Sequence, residues 1–321
     1  MSVKDPPFTI TKAILTYISD ISKLVGKLSS WKSGHEPALR RTNRIRTIYG
    51  TLAIEQNTLS VEQITAVLNG KHVIAPQKDI LEVRNAYAVY EKMAEFQPYS
   101  VESLLEAHSL MMRGLIDEAG VFRSGSVGIT DGKGNILHMG TLPRYVPESV
   151  ENLLEWVKKS TLPMLIKSCV FHYEFELIHP FADGNGRIGR LWHTRLLSEW
   201  DPIFAWLPIE SIVHDNQKKY YDAINTSNVE GESTEFIEFM LSAVKAALSE
   251  AANVEKCQKN VTDKRKSITD FLSDHEKVRN SDVVKLLDVS PATANRLLVG
   301  MMNDGILVRI RDGKYWAYRI K

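Results

Sequence analysis

The feature that most constrains the fold is an interruption inside a long apolar stretch near the middle of the chain. The run LPMLIKSCVFHYEFELI leads to His179, and Pro180 then ends the helical pattern, because proline lacks a backbone N–H and its ring clashes with the preceding turn. The letters DGNG at 183–186 predict a tight loop, after which RIGRLWHTRLL resumes a helical pattern. The sequence therefore predicts two buried helices joined by a short glycine-rich loop.

A glycine-rich loop that opens a helix favours the binding of an anion, because unpaired N–H groups point out of the loop and the helix dipole adds positive potential. Gly184 and Gly186 let a phosphate approach the backbone closely, since neither carries a Cβ. Arg187 and Arg190 are three residues apart, near one helix face, from which both can reach the same polyphosphate. The pattern therefore predicts a site for a nucleotide polyphosphate.

Asp183 and His179 add two further kinds of chemistry to the loop. A carboxylate at an anion site repels its ligand unless it holds a Mg²⁺ ion that bridges phosphate oxygens, so Asp183 is interpreted as a metal ligand. The alternative is that Asp183 caps the helix that follows. His179 stands directly before the loop and can take a proton from an attacking hydroxyl.

The segment HPFADGNGR, followed by Arg190, resembles the signature of the Fic family, HPFx(D/E)GNGRxxR, at every specified position. The segments LLEAHSLMMRGLIDEAGVFRSGSVGI and YYDAINTSNVEGESTEFIEFML are similar to the sequences that flank this signature, so the resemblance covers about residues 40–250. It implies a helical Fic fold with a β-hairpin flap. It also implies transfer of AMP from ATP to a Ser, Thr or Tyr hydroxyl of a target protein or of the chain itself.

The resemblance also implies roles for individual residues. The flap that clamps the target segment corresponds to residues 133–141, and Gly186 favours AMP transfer, because relatives that transfer phosphate carry Lys there. The implied site comprises the catalytic base His179, the Mg²⁺ ligand Asp183, the buried anchor Phe181, the phosphate contacts Gly184, Asn185, Gly186, Arg187 and Arg190, and the adenine pocket residues Tyr220, Tyr221 and Asn228.

The segment TLAIEQ at 51–56 resembles the inhibitory helix of the family, (S/T)xxxE(G/N). Thr51 and Glu55 match this pattern, and Gln56 departs from it. Glu55 in a salt bridge with Arg190 would occupy the group expected to bind the γ-phosphate, so ATP would bind unproductively. The alternative is an ordinary exposed glutamate near the end of a helix.

Apolar periodicity predicts a mainly α chain in four parts. Residues 1–100 form an N-terminal helical region with the inhibitory helix, and 101–252 form the Fic catalytic core with a hairpin near 120–146. The segment NVEKCQKNVTDKRK at 253–266 is rich in charge, and we assign it as a linker. Residues 267–321 then form a separate small domain.

This last domain has the pattern of a winged helix-turn-helix: three short helices, one of which opens at Ser290-Pro291, and a two-stranded wing around Asp312-Gly313. Its basic residues suggest contact with the DNA backbone; they are Arg296, Arg309, Arg311 and Lys314. The alternative is a domain for protein contact or homodimer formation, because aspartates in the same region dilute the positive field.

Other conspicuous side chains are given structural interpretations. His172, Glu176 and His179 follow an HxxxExxH spacing, but Pro180 ends the helix and no further ligand is suggested, so zinc is not favoured. Buried or bracing roles are expected for the remainder, which are His108, Arg123, His172, Leu191 and Trp192.

The composition sets limits on the whole chain of 321 residues. The net charge is +1, so any contact with nucleic acid must come from a local patch. Cys169 and Cys257 are far apart and lie in no CxxC pair, which disfavours a disulfide framework. Because neither a secretion signal nor an apolar run long enough to span a bilayer is apparent, we expect a cytoplasmic protein without membrane contact.

Two hypotheses of function follow from these patterns. The first is a Mg²⁺-dependent protein adenylyltransferase that Glu55 inhibits. The second is a DNA-binding regulator whose Fic core senses nucleotide or is controlled by its own modification. The intact His179 favours the enzyme, because sensing ATP requires no base. The target, the preference for one nucleotide, the reverse removal of AMP and the oligomeric state are left open.

Overall fold

The computed structural model describes residues 5–28, 37–130 and 136–321. The chain divides into two compact units, Met1–Glu250 and Ala251–Lys321. The described part is mainly α-helical, which confirms the predicted fold class. None of the described helices has both the length and the apolar composition needed to cross a lipid bilayer.

The first half of the first unit consists of helices whose apolar faces form its core. Ser60 and Ser100 cap two of them, each accepting a hydrogen bond from an amide of the first turn. These helices are α1 (Lys12–Lys27), α2 (Pro37–Ile54), α3 (Val61–Leu68), α4 (Gln77–Glu91) and α5 (Val101–Met112).

A short β-hairpin follows α5. Strand β1 (Gly128–Thr130) pairs antiparallel with β2 (Ile136–Met139), and Gly128 lies opposite Met139. This confirms a hairpin in the region where glycine and β-prone residues predict one. The turn DGKGN, which includes part of the predicted flap 133–141, lies outside the described residues.

Two buried helices, α7 (Met164–Ile178) and α8 (Asn185–Trp200), form the centre of the unit, with α6 (Val146–Lys159) packed against α7. The helices α7 and α8 pack closely because Gly189 carries no Cβ; a Cβ there would stand 3.0 Å from a ring carbon of His172. Phe181 and Trp192 are fully buried, as the sequence predicts. The loop between α7 and α8 is therefore anchored to a rigid core.

The C-terminal helices of this unit include one that hydrophobic periodicity did not indicate, α9 (Ile209–Asp215). It precedes α10 (Gln217–Glu230) and the long helix α11 (Thr234–Asp274). The predicted linker 253–266 is helical, because α11 continues through it, and it lies close to the boundary between the two units after Glu250. Although its apolar content falls, this segment contains neither glycine nor proline, so charged residues simply extend the helix.

The second unit contains the C-terminal part of α11, followed by α12 (Asn280–Leu287) and α13 (Pro291–Asn303), with Ser290 as the N-cap of α13. Its sheet has the order β3 (Val278–Arg279), β5 (Tyr315–Ile320), β4 (Leu307–Asp312), all antiparallel. The sequence predicted two of these strands and missed β3. A core that includes Ile268, Leu298 and Met301 joins helices and sheet. The winged-helix assignment stays a prediction.

Candidate active site

His179 ends helix α7 in a left-handed backbone conformation, with φ of 51°. Its Nδ1 lies 3.2 Å from the carbonyl oxygen of Glu176, which can only accept, so Nδ1 carries the proton and Nε2 keeps its lone pair. Burial, together with the nearby charge of Arg123, lowers the pKa of His179, although the Glu176 carbonyl acts in the opposite direction. A neutral imidazole with a free Nε2 is the form that a general base requires.

Arg123 fixes the turn that carries His179 and the base of the hairpin. Its Nε donates to the His179 carbonyl oxygen at 2.7 Å, and its terminal nitrogens donate to the carbonyl oxygens of Gly125 and Thr141. The side chain is 3% exposed, and burial lowers the pKa of its guanidinium. Arg123 therefore braces the flap, as the sequence predicts, but through carbonyl groups and not through a salt bridge.

The loop 180–184 is closed by the side chain of Asn185. Its Oδ1 accepts from the Phe181 N–H and its Nδ2 donates to the Phe181 carbonyl, both at 2.9 Å. Both polar groups of this side chain thus bond within the loop. The Asn185 side chain closes the loop and does not point a donor at the expected phosphate position. The first-turn N–H groups of Asn185, Gly186 and Arg187 have no acceptor within the described part of the chain and point to an anion site.

Gly184 has a backbone conformation that favours glycine, with φ of +87°. A Cβ there would also lie 2.7 Å from the sulfur of Met112. Behind the loop, His108 accepts from the Gly120 N–H at 2.9 Å and contacts the Asp183 carbonyl, also at 2.9 Å, while its ring stacks on Phe181. Burial lowers the pKa of His108 to about 4. The structural role predicted for this histidine is confirmed, and it supports the loop from below.

The carboxylate of Asp183 is about half exposed. Its Oδ1 accepts from the Gly184 N–H at 2.6 Å and from Arg187 at 2.8 Å. Its Oδ2 has no partner among the described residues, so one carboxylate oxygen is free to bind a cation. One protein carboxylate beside a phosphate site is the donor set that Mg²⁺ commonly uses, since this ion keeps several waters. Asp183 therefore fits the role of a metal ligand, and it does not cap helix α8, because its carboxylate accepts from the Gly184 N–H and from no amide of the first turn among the described residues.

Arg187 is 3% exposed and lies between two carboxylates. It donates to Asp183 at 2.8 Å and to Oε1 of Glu82, on α4, at 3.2 Å. Glu82 is itself buried, and its Oε2 accepts from the side chain of Asn57 at 2.8 Å. Sequence reasoning missed Glu82, because no motif links it to Arg187 across 105 residues.

Arg190 is also 3% exposed, and it is held by the end of helix α2. It donates to Oγ1 and to the carbonyl oxygen of Thr51, both at 3.0 Å, and to Oε1 of Glu55 at 2.6 Å. Burial by itself lowers the pKa of Arg190, but the charge and the hydrogen bond of Glu55, together with the nearby Tyr220 and Glu176, outweigh burial and raise the pKa above its ordinary value. The structure thus brings together the three residues that the inhibitory motif names.

The Glu55 carboxylate also covers the first turn of α8. A Cβ added to Gly186 would lie 2.6 Å from Oε1 of Glu55 and 2.9 Å from a terminal nitrogen of Arg190. This carboxylate therefore occupies space directly in front of Gly186, where the loop geometry favours an anion. Helix α2 ends at Ile54, directly before Glu55, and the next residue, Gln56, has a positive φ of 67°.

The three residues expected in an adenine pocket differ in their exposure and in their partners, although the ring centres of Tyr220 and Tyr221 lie 5.3 Å apart. Tyr220 is buried, and its hydroxyl lies 3.2 Å from Nε2 of His172, so it forms part of the core. Tyr221 is 42% exposed, and Glu55 and Arg190 both influence its pKa, which burial raises. Asn228 accepts from the hydroxyl of Tyr173 at 3.0 Å. Of the three, Tyr221 has the exposed ring that a base could contact.

Glu176 is a buried acid that sequence reasoning did not assign to the site. Burial raises its pKa to about 7, and its Oε1 has no hydrogen-bond partner. It lies 3.8 Å from Nε2 of His172 and 3.9 Å from Nδ1 of His179. Within residues 5–28, 37–130 and 136–321, no set of three His, Cys, Asp or Glu could hold a metal ion.

Comparison with known proteins identifies relatives over most of the chain. The family model described as Fic/DOC family matches residues 98–197. A crystal structure titled as a Fic family protein from Desulfovibrio desulfuricans is 39% identical, with a TM-score of 0.77, over 99% of this chain and 98% of that one. Fic-1 from Caenorhabditis elegans has a similar fold, with a TM-score of 0.62 at 20% identity over 77% of this chain and 73% of that one.

A curated relative is named protein adenylyltransferase fic-1 and comes from Caenorhabditis briggsae. It is 30% identical over 233 residues, which are 67% of this chain. The matched part spans only 43% of that relative's length.

Proposed function

The chain belongs to the Fic family, and we propose that it is a protein adenylyltransferase, which transfers AMP from ATP to a hydroxyl group of a target protein or of itself. The observation that carries this proposal is the juxtaposition of His179 with the unpaired amides that open helix α8. Attack of an alcohol on a phosphate requires a base that takes the proton of the hydroxyl and a site that holds the phosphate. The neutral imidazole and the anion site supply these two parts, and one loop joins them.

In the proposed step, a Ser, Thr or Tyr oxygen attacks the α-phosphorus of ATP. The bond from this phosphorus to the bridging oxygen breaks, pyrophosphate leaves, and the proton of the hydroxyl passes to Nε2 of His179. The hydrogen bond from Nδ1 to the Glu176 carbonyl supports this role, because it holds the ring in the tautomer with a free Nε2.

The first-turn amides at 185–187 would hold the phosphates, with Arg187 and Arg190 as cations on the same turn. Arg190 would reach the γ-phosphate once it is free of Glu55. Asp183 would hold Mg²⁺ through its free Oδ2, and when bound this ion would neutralise phosphate charge. The exposed ring of Tyr221 would line the space for the adenine. An aromatic ring can stack on any base, so this contact by itself does not select adenine.

Inhibition by Glu55 is the second part of the proposal. Its carboxylate stands 2.6 Å from Arg190 and in front of Gly186, which is the position that a γ-phosphate would need. Two anions cannot share this space, since like charges at such distances repel strongly in a poorly solvated site. ATP would then bind productively only when the end of helix α2 moves.

The test is incubation of the full chain with ATP labelled at the α-phosphate and Mg²⁺, in the wild-type, Glu55→Gly and Glu55→Gly/His179→Ala forms. We expect covalent label in Glu55→Gly, a loss of about 10²-fold or more in the double variant, and loss on chelation of the metal. ATP labelled at the γ-phosphate serves as the control, since AMP transfer leaves that label in pyrophosphate. An unlabelled Glu55→Gly chain, also with a cell extract as acceptor, would refute the function.

We also propose a reducing, cytoplasmic location, which is supported by the two cysteines. Both are free thiols, Cys169 buried and Cys257 exposed. We also propose that the chain can act on itself, since the end of helix α2 must leave the site before any acceptor binds. Homodimer formation and removal of AMP stay predictions.

A regulatory role with DNA as partner is the second candidate, and one observation in the C-terminal unit favours it. The exposed guanidinium groups of Arg309 and Arg311 lie 4.2 Å and 4.0 Å from the ring centre of Trp316, which forms one cationic and aromatic face on the wing. Asp312 is instead paired with Lys277 and Arg279, so it does not oppose this face. Such faces bind phosphate backbones.

Binding of a mixed-sequence DNA duplex at several salt concentrations tests this candidate. We expect affinity that falls as salt rises, and a weaker dependence on salt in Arg309→Ala/Arg311→Ala. Lys259→Ala, which removes a charge from α11, serves as the control. Equal affinity of all three proteins would exclude the wing as a DNA contact.

A further inference from the structure

A cavity of about 540 Å³ lies in the first unit beside the catalytic histidine, and no step proposed above uses it. Residues of the hairpin base, of α6 and of α7 line it, together with Pro6. The N-terminal segment is held against this wall by Asp5, which accepts from the indole N–H of Trp156 at 2.7 Å. The cavity is large enough for one long side chain of another protein.

Its position relative to His179 follows from the hairpin. A Cβ on Gly140 would lie 3.3 Å from Cβ of His179, so Gly140 packs directly against the catalytic residue. Met139 and Thr141, the two neighbours of Gly140, line the cavity. Neighbouring residues of an extended segment point to opposite sides, and one residue advances by about 3.3 Å. An acceptor segment lying along β2 with its hydroxyl at His179 would therefore have a nearby side chain at the cavity.

The wall of the cavity contains one acidic group without a partner, the carboxyl group of Glu174 on α7. No described residue offers this side chain a hydrogen bond or an ion pair. Burial alone raises its pKa to about 7. A half-buried acid without a cation is costly to ionise, and a guanidinium or ammonium group brought into the cavity would remove that cost.

We propose that this cavity selects the acceptor protein, by taking an Arg or Lys side chain that lies within a few residues of the modified hydroxyl and pairing it with Glu174. This inference rests on the proposed AMP transfer. The aliphatic stem of such a side chain would lie against Leu153, Leu177 and Ile178, while its charged end reaches Glu174. The polar side chains of Ser149 and Asn152 also line the cavity and would exchange hydrogen bonds with the acceptor segment.

The test uses the released Glu55→Gly chain and peptide libraries with a central Ser, Thr or Tyr, in which one flanking position at a time is fixed as Arg, Lys, Leu or Glu. We expect faster AMP transfer for Arg or Lys at one defined position. For the best peptide, replacement of that arginine by citrulline, which has the same shape without the charge, is expected to lower kcat/KM about tenfold or more.

Substitution of the acid assigns this preference to the cavity. In Glu174→Gln the ratio of kcat/KM for arginine over citrulline is expected to fall close to one, and in Glu174→Lys a glutamate at that position becomes favoured. Glu151→Gln, which removes an exposed carboxylate of α6 outside the cavity, keeps the wild-type ratio.

Equal rates for arginine and citrulline in the Glu55→Gly parent, or an unchanged ratio in Glu174→Gln, would overturn the inference. Labelling of the chain itself without labelling of any library member would also overturn it, because the cavity would then select no acceptor segment. Failure of the proposed function has a different signature, since no acceptor at all, including the chain, would then carry AMP.

Discussion

The two arginines of the catalytic loop are equally buried, yet their surroundings differ in one respect. Arg187 pairs with Glu82, a buried side chain from the middle of helix α4 that Asn57 also holds. Arg190 pairs with Glu55, which is 30% exposed and lies directly after the end of α2. The first pair is built into the core, whereas we propose that the second separates to admit ATP. We call the pair with Glu82 the permanent pair and the pair with Glu55 the releasable pair.

The largest expected effect comes from breaking the permanent pair. In Glu82→Gln, Arg187 keeps only the half-exposed Asp183 as a carboxylate partner, and we expect a loss of about 3 kcal/mol in the free energy of unfolding. Urea denaturation measures this loss. Asp222→Asn, which breaks an exposed pair with Lys218, is the control and should cost less than about 1 kcal/mol.

Self-modification should stay low in Glu82→Gln, because Glu55 still covers Arg190. If this variant labelled itself as strongly as Glu55→Gly, the two ion pairs would be equivalent and the comparison would be wrong.

The second effect comes from separating the releasable pair. Glu55→Gly frees Arg190 and clears the space before Gly186. We expect the rate of self-AMPylation to rise by about 5- to 150-fold, the factor to which typical coupling free energies between two sites correspond. Incorporation of α-labelled ATP per minute measures it. The free energy of unfolding should fall by less than in Glu82→Gln, since Glu55 is 30% exposed whereas Glu82 is buried.

Glu55→Gln is the matched variant, because it keeps the size and removes the charge. Its rate should lie between those of the wild-type and Glu55→Gly chains. A rate of Glu55→Gly equal to that of the wild type would show that the contact with Arg190 does not inhibit.

A smaller effect is expected from Thr51, which holds Arg190 from the same helix. Thr51→Val removes the hydroxyl that accepts from Nε of Arg190 but leaves the carbonyl contact and Glu55 in place. Because a single hydrogen bond contributes about 1 kcal/mol, self-AMPylation should rise only a few-fold. Thr58→Val, which removes a hydroxyl that bonds to Asp79, is the control and should leave the rate unchanged. A Thr51→Val rate as high as that of Glu55→Gly would move the inhibitory contact from Glu55 to Thr51.

The smallest expected effect is on the pH profile of the released chain. The neutral form of His179 is the active base and burial lowers its pKa, so activity should fall on acidification with a midpoint below the ordinary histidine pKa of about 6.5. Initial rates of Glu55→Gly between pH 4.5 and about 8 measure this. A midpoint above pH 6.5 would contradict a buried, neutral base.

Sequence reasoning predicted the parts of the site that are local in the chain. Pro180 ends α7, Gly184 supplies the positive φ of the loop, and Ser100 and Ser290 cap their helices, because each of these effects acts within four residues. It placed a linker at 253–266, close to the boundary between the two units after Glu250, but it did not indicate that helix-forming charged residues continue α11 through this segment. It missed β3, because two residues carry too little pattern to indicate a strand.

The sequence by itself determined that a glycine-rich loop with two arginines would follow a proline-stopped helix, since the necessary backbone conformations are set by neighbouring residues. Only the tertiary structure decided which carboxylate meets which arginine: Glu82 comes to Arg187 across 105 residues and Glu55 to Arg190 across 135. It also decided that Glu174 lies unpaired at a cavity. Ion pairs depend on distances of a few ångströms, and only the packing of distant helices fixes these.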